Sequence, residues 1–257
     1  MEKEKRQIYE ELLMERDQLR KEGVQSWITY KQMFGQLTAE VFEEQVACIR
    51  CKKTIAFLQK ARNWNNAVNA EELDDYLERV MRPYKLRLDR MLRDAEAVKE
   101  TEVATPYEVK RSKELYRRLA RMLHPDLNPW TDESETLQEL WLRVQDAYDG
   151  NDVKTLLELE VLVRKELREV GWEGEDPEIA DLDDRIRETE EEIEQIRNTE
   201  PYTLKDLVCD PEKCAAKREE LEKELTSFRE YHSRLKQKML ALMQEGGIEI
   251  HVDGTDD

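Results

Sequence analysis

Between Trp27 and Leu58, apolar or small side chains return every three or four residues: Trp27, Tyr30, Phe34, Leu37, Val41, Cys48, Cys51, Ile55 and Leu58, with Glu44 interrupting the series. At 100° per residue this spacing draws one stripe along one side of a long helix. A narrow stripe can be covered by one or two neighbouring helices, and the composition leaves room for little more. Of the chain's residues, 40% are charged and 39% hydrophobic, against roughly 25% charged in an ordinary globular protein. Too little apolar surface remains for one large core, so the expected fold is all-α and elongated, built from helical hairpins that keep most side chains in water.

The eight glycines and seven prolines punctuate the rest. Gly23 is predicted to break an initial charged helix, residues 2 to 22. Asn63-Trp64-Asn65-Asn66 reads as a turn, and Asn69 with Glu72 resembles a capping box for a next helix. That helix carries Leu73, Leu77, Val80, Tyr84, Leu88, Met91, Ala95 and Val98 on one side and contains Pro83. It is expected to fold back on its predecessor, giving an N-terminal hairpin over residues 1–104 that Thr105-Pro106 closes. A central module is expected over 105–171, where Asn151 or Asp152 caps a helix to about Glu169, followed by a linker from Gly171 to Asp176. Asp176-Pro177 is an apt helix start.

Beyond it, Ile179, Leu182, Ile186, Thr189, Ile193 and Ile196 form an a/d seam, and Leu221, Leu225, Phe228, His232, Leu235, Met239 and Leu242 form another. The two are expected to pair as an antiparallel coiled-coil hairpin over 175–245, with His232 level with Thr189 in a polar layer. An acidic, mobile tail, 246–257, is expected to follow, and the hairpins could also join copies of the chain.

In the centre the charge pattern reverses. Val109, Ser112, Leu115, Tyr116, Leu119, Met122 and Leu123 share one helical side, while Lys110, Lys113, Arg117 and Arg121 cluster opposite, flanked by Arg111 and Arg118. This helix is strongly basic in a chain of formal net charge -18. After a loop, Leu137, Leu140, Trp141, Val144, Ala147 and Tyr148 supply a matching stripe. Two short antiparallel helices would present His124, Pro125 and Asp126 at an exposed tip, where Pro125 limits the loop, His124 can donate and accept hydrogen bonds and Asp126 supplies a carboxylate.

Residues 109 to 150 resemble the J domain of the DnaJ family: Leu115-Tyr116-Arg117-Arg118-Leu119-Ala120, then His124-Pro125-Asp126-Leu127-Asn128-Pro129, then Trp141, Val144 and Ala147-Tyr148. The resemblance implies a co-chaperone that docks on the ATPase domain and interdomain linker of a DnaK-type chaperone and stimulates ATP hydrolysis. It implies that His124, Pro125 and Asp126 carry the signal, while Lys110, Lys113, Arg117, Arg118 and Arg121 steer the encounter. The pattern also departs from the family. No tyrosine-containing first-helix signature precedes Val109, which makes the long helix ending near Glu102 the candidate to replace it. Leu127 stands where lysine is common, and the Gly/Phe-rich stretch and the zinc modules of larger members are absent.

Other readings compete. Cys48, Cys51, Cys209 and Cys214 could in principle hold zinc. Yet Cys48 and Cys51 lie on an apolar stripe, and with Asp210 as N-cap, Cys209 and Cys214 take hydrophobic-staple positions. No metal or cofactor is expected, nor an intrinsic enzyme, since no Gly-rich phosphate loop, nucleophile elbow or paired metal ligands occur. The acidic balance disfavours nucleic acid and anionic membranes. No apolar run approaches the roughly 18 residues of a membrane span, and Met1-Glu2-Lys3-Glu4-Lys5 lacks the apolar core of a secretory signal, so a cytoplasmic location is expected. The alternative to a co-chaperone is a coiled-coil scaffold or adaptor with a J-like segment that stimulates no ATPase.

Overall fold

The computed structural model describes residues 2–64, 68–99, 101, 104–169, 171 and 179–246. The Asp176-Pro177 helix start, most of the 171–176 linker, Asn65 and Asn66 of the first turn and the tail beyond Gly246 lie outside these residues. Among the described residues the chain is all-α, with nine helices: α1 Glu2–Asn63, α2 Ala70–Lys99, α3 Pro106–Leu123, α4 Trp130–Glu133, α5 Glu135–Asp149, α6 Val153–Glu169, α7 Leu182–Asn198, α8 Leu204–Val208 and α9 Pro211–Gly246. None of them is long and apolar enough to cross a membrane.

The chain forms two compact units, and these cut across the contiguous segments read from the sequence. The first joins Met1–Trp27 to Glu102–Lys205; the second joins Ile28–Thr101 to Asp206–Asp257. The predicted break at Gly23 does not occur, because α1 runs through it. A methyl group on Gly23 would sit 3.2 Å from Pro201 Cγ and 3.2 Å from the Tyr202 backbone nitrogen. This glycine is therefore kept for close approach of another backbone rather than for a turn.

In the second unit α2 does fold back on α1. Tyr76 packs on Phe57 (5.4 Å between ring centroids), Arg87 lies over Phe42, and Gln32 donates to Val98 O at 2.7 Å, so the pairings run in opposite directions. Asn69 caps α2 by accepting from Glu71 N at 2.9 Å. The α9 seam lies on the other partner surface of α1: Leu221 and Leu225 join Phe34 and Val41, and Leu235 joins Cys48, Cys51 and Ile55. These pairings rise together in number, so α9 runs parallel to α1.

The expected pairing between the seams of α7 and α9 is thus incorrect. A heptad seam defines a face and leaves its partner open, and α1 supplies a complementary stripe to each. In the first unit, Ile179, Leu182 and Ile186 pack on the cluster containing Tyr9 and Leu13, and the Lys5–Asp183 and Arg20–Glu192 ion pairs and the approach of Gly23 to Pro201 follow α1 in parallel. Thr189 is buried and donates to Arg185 O at 2.8 Å. It forms no layer with His232, whose Nδ1 lies 3.0 Å from Glu44 Oε2.

The cysteines divide likewise. Cys48 and Cys51 sit in one cluster and Cys214 in another, while Cys209 is exposed. Asp210 caps α9 as expected, accepting from Glu212 N and Lys213 N. Cys214 Sγ points to the carbonyls of Leu207 and Val208. Burial pushes the thiols of Cys48 and Cys51 up from their ordinary pKa.

Candidate partner-docking site

Thr105 starts α3 with a capping box, accepting from Glu108 N while Glu108 Oε2 accepts from Thr105 N at 2.8 Å. The helix begins three residues before the predicted Val109, because Pro106 suits a first turn that needs no N–H donor. Ser134 caps α5 by accepting from Leu137 N at 3.3 Å. Every residue of both predicted stripes from Ser112 to Leu123 and from Leu137 to Tyr148 is buried, and α3, α5 and α6 pack on one another around them. Asp152, at the start of α6, accepts from Thr155 N at 2.9 Å. Asn151 instead takes a left-handed conformation, φ 54°.

The loop between α3 and α4 is held from within. His124 N closes α3 on Ala120 O at 2.8 Å, and His124 O accepts from both Leu127 N and Asn128 N at 2.9 Å. Asn128 Nδ2 donates back to Arg121 O at 3.1 Å. Leu127 is wholly buried; its side chain anchors the loop in the core.

His124 differs from the exposed residue expected at the tip, being only 4% exposed. Its ring meets the edge of Trp141 with centroids 5.0 Å apart, and its Nδ1 accepts from Asp126 N at 3.1 Å. Its Nε2 faces Arg16 Nη2, which can only donate, at 3.3 Å and Asp17 Oδ2 at 3.7 Å. Burial lowers the His124 pKa; Asp17 and Asp126 oppose that shift and Arg16 adds to it. His124 organises the loop from below, whereas Pro125 is partly exposed and Asp126 carries a 38% exposed side chain.

The covering comes from α1, a contribution that sequence reasoning missed. Tyr9, Leu13, Asp17 and Lys21 recur every four residues and lie against the α3–α5 pair. Burying a leucine such as Leu13 contributes about 1.5–3 kcal/mol. Tyr116 Oη donates to Asp17 Oδ2 at 2.6 Å, and Tyr116 stacks on Tyr148 with centroids 3.9 Å apart. Lys21, 2% exposed, donates to Asn151 Oδ1 at 2.7 Å and Tyr148 O at 2.5 Å, and sits 3.6 Å above the Tyr148 ring. Burial pulls its pKa down to about 8, against the pull of Asp149. The helix that completes the module is therefore the start of α1, in the same compact unit, and not the helix ending near Glu102, since α2 belongs to the other unit.

The basic residues are not equivalent. Lys110, Arg117 and Arg121 are exposed, and Lys113 is half-buried. Arg118 Nη2 is bound to Glu160 Oε2 of α6 at 2.8 Å, so it braces the module. Arg111 pairs with Glu114 on its own helix at 3.1 Å. Lys113, Arg117 and Arg121 face Glu10, Glu11, Glu15 and Glu22 of α1 across a groove of about 490 Å³, and Arg121 Nε lies 3.7 Å from Glu10 Oε2. The basic wall is locally matched by an acidic one. No grouping of three or more metal-ligating side chains occurs among the described residues. In comparisons with known proteins, no family model, no curated protein and no solved structure matches this chain.

Proposed function

We propose that the protein is a cytoplasmic J-domain co-chaperone that docks on a DnaK-type ATPase through α3 and the His124-Pro125-Asp126 loop and stimulates its ATP hydrolysis. The observation that carries this reading is the end of the α3–α5 pair. There the partly exposed Asp126 carboxylate adjoins a helix presenting Lys110, Arg117 and Arg121 to solvent. Exposed ion pairs each contribute only about 0–1 kcal/mol, which suits a fast, weak, salt-sensitive encounter. The chemistry takes place in the partner, and the α1–α2 hairpin and α9 serve a client or a further partner.

Single-turnover ATP hydrolysis by a DnaK-type chaperone tests the reading. Stimulation by the wild type and its loss in Asp126→Asn are the expected results; an ATPase rate indifferent to the protein would sink the proposal.

A second reading, a scaffold whose J-like module docks without stimulating any ATPase, is favoured by the burial of His124 beneath α1 and the engagement of Arg118 with Glu160. It predicts protein partners that survive both His124→Gln and Asp126→Asn.

A further inference from the structure

We infer that Arg16 is a positioning residue of the docking site: it aims the Asp126 carboxylate outward without using up its hydrogen-bonding capacity. This deepens the co-chaperone reading and rests on it for its functional arm.

Asp126 stands in a neighbourhood of mixed charge. Its side chain lines a groove of about 540 Å³ shared with Asp181, Asp184, Glu188 and Glu192 and with Arg16, Arg185 and Arg187. The acidic side chains repel the carboxylate, and alone they would turn it away. Arg16 answers that repulsion. Its side chain is only 13% exposed and lies among three carboxylates and the His124 ring: Nε is 3.3 Å from Asp17 Oδ1, Nη1 is 3.7 Å from Asp126 Oδ2 and 3.6 Å from Glu192 Oε2, and Nη2 is 3.3 Å from His124 Nε2. Burial alone would lower the guanidinium's pKa, but Asp17, Asp126 and Glu192 raise it. A planar fork can address several acceptors at once, which a lysine ammonium cannot do in the same geometry.

The distance to Asp126 decides the role. At 3.7 Å the contact lies beyond hydrogen-bonding length and acts through charge. The other close group, His124 Nδ1, is also at 3.7 Å, and neither Asp126 carboxylate oxygen takes a hydrogen bond among the described residues. Arg16 thus fixes where the carboxylate points and leaves both oxygens open to a partner's N–H donors. It also sets a positive charge beside the loop, where Leu127 removes one from the sequence.

The test uses the full chain with a DnaK-type chaperone and the variants Arg16→Lys, Arg16→Gln, Asp126→Asn and the Arg16→Gln/Asp126→Asn double. Arg16→Gln is expected to lower ATPase stimulation at least tenfold, with Arg16→Lys between it and wild type. The double variant should be no worse than Asp126→Asn alone, because Arg16 acts through that carboxylate. Amide hydrogen exchange supplies a second readout: in Arg16→Gln the Asp126 and Leu127 amides should exchange faster while the α3 and α5 core amides keep their protection. Stimulation equal to or above wild type in Arg16→Gln would make Arg16 a mask and overturn the assignment, as would fully additive losses or core amides that open with the loop. Should the wild type stimulate no ATPase, the co-chaperone reading fails by itself. Loop exchange then still decides whether Arg16 positions Asp126, and unchanged exchange refutes it.

Discussion

Lys21 Nζ donates a 2.7 Å hydrogen bond to Asn151 Oδ1, joining a buried ammonium of α1 to a residue 130 positions away that turns the chain from α5 into α6. Ser112 Oγ donates to the same Asn151 oxygen at 2.9 Å, so one amide gathers α1, α3 and the α5–α6 turn. This polar knot fixes the register of α1 on the module.

The knot makes stability depend on alkaline pH. Lys21 has a folded-state pKa of about 8, below the value of about 10.4 for an unfolded lysine. Between these values the unfolded chain binds more protons, so stability rises with pH. Relative to Lys21→Met, the wild type should gain stability on the order of 2–3 kcal/mol between pH 8 and pH 10. Urea denaturation at half-unit pH intervals measures the difference. A constant offset between the two proteins would refute a depressed lysine.

His124 acts in the same direction in a more acidic window. Its pKa is lowered chiefly by burial, so below the ordinary histidine value of about 6.5 the unfolded chain takes up a proton that the folded ring resists. Stability contributed at this position is present above that pH and is lost as the pH falls below it. The stability of the wild type relative to His124→Gln should fall as the pH is lowered from about 7.5 to about 5. The ring's carbon-bound proton resonances, followed by NMR, should titrate with a midpoint below the ordinary histidine value; a midpoint at or above it contradicts the prediction.

The sequence disclosed most of the local structure because local structure is what periodicity encodes. The stripes of α3 and α5, the Asp210 cap and the return of α2 along α1 could be read from spacing and capping residues. Glu44 stood out as a polar break in one stripe and His232 in another, yet their meeting at 3.0 Å required knowing that α9 packs on α1. Partner choice is a non-local property, and no spacing rule distinguishes α7 from α1 as the cover for a given seam. The candidate site was half legible for the same reason. His124, Pro125 and Asp126 are contiguous, whereas Arg16 and Asp17 reach them from more than 100 residues upstream, on a face whose every-fourth pattern mixes Tyr9 and Leu13 with charges.

Gly23 is a case where composition misleads and packing decides. In an exposed helix interior, glycine to alanine adds about 1 kcal/mol of stability. Here the added methyl would press on the backbone of Tyr202 at 3.2 Å. Gly23→Ala should fail to show that gain, and Gly23→Leu should cost about 1–3 kcal/mol by overpacking. Thermal or denaturant unfolding checks both; a stabilised Gly23→Ala would mean that the Pro201-Tyr202 turn gives way easily.

The acidic wall of α1 tempers the basic helix that the proposed partner would meet. Glu10, Glu11, Glu15 and Glu22 face Lys113, Arg117 and Arg121 across one groove. Exposed charges of this kind govern association rate more than affinity, and they are screened over a Debye length of about 8 Å at physiological ionic strength. Glu11 is exposed and its one side-chain hydrogen bond comes from Gln7, a turn earlier on the same helix. Replacing it therefore alters the field with little effect on the fold. Glu11→Lys should speed association with a DnaK-type ATPase several-fold at low salt, and Arg117→Glu should slow it. All three proteins should converge as salt is raised, because the difference is one of steering. Stopped-flow association at a series of ionic strengths measures this. Rates that ignore both substitutions at low salt would place the encounter surface elsewhere on the molecule.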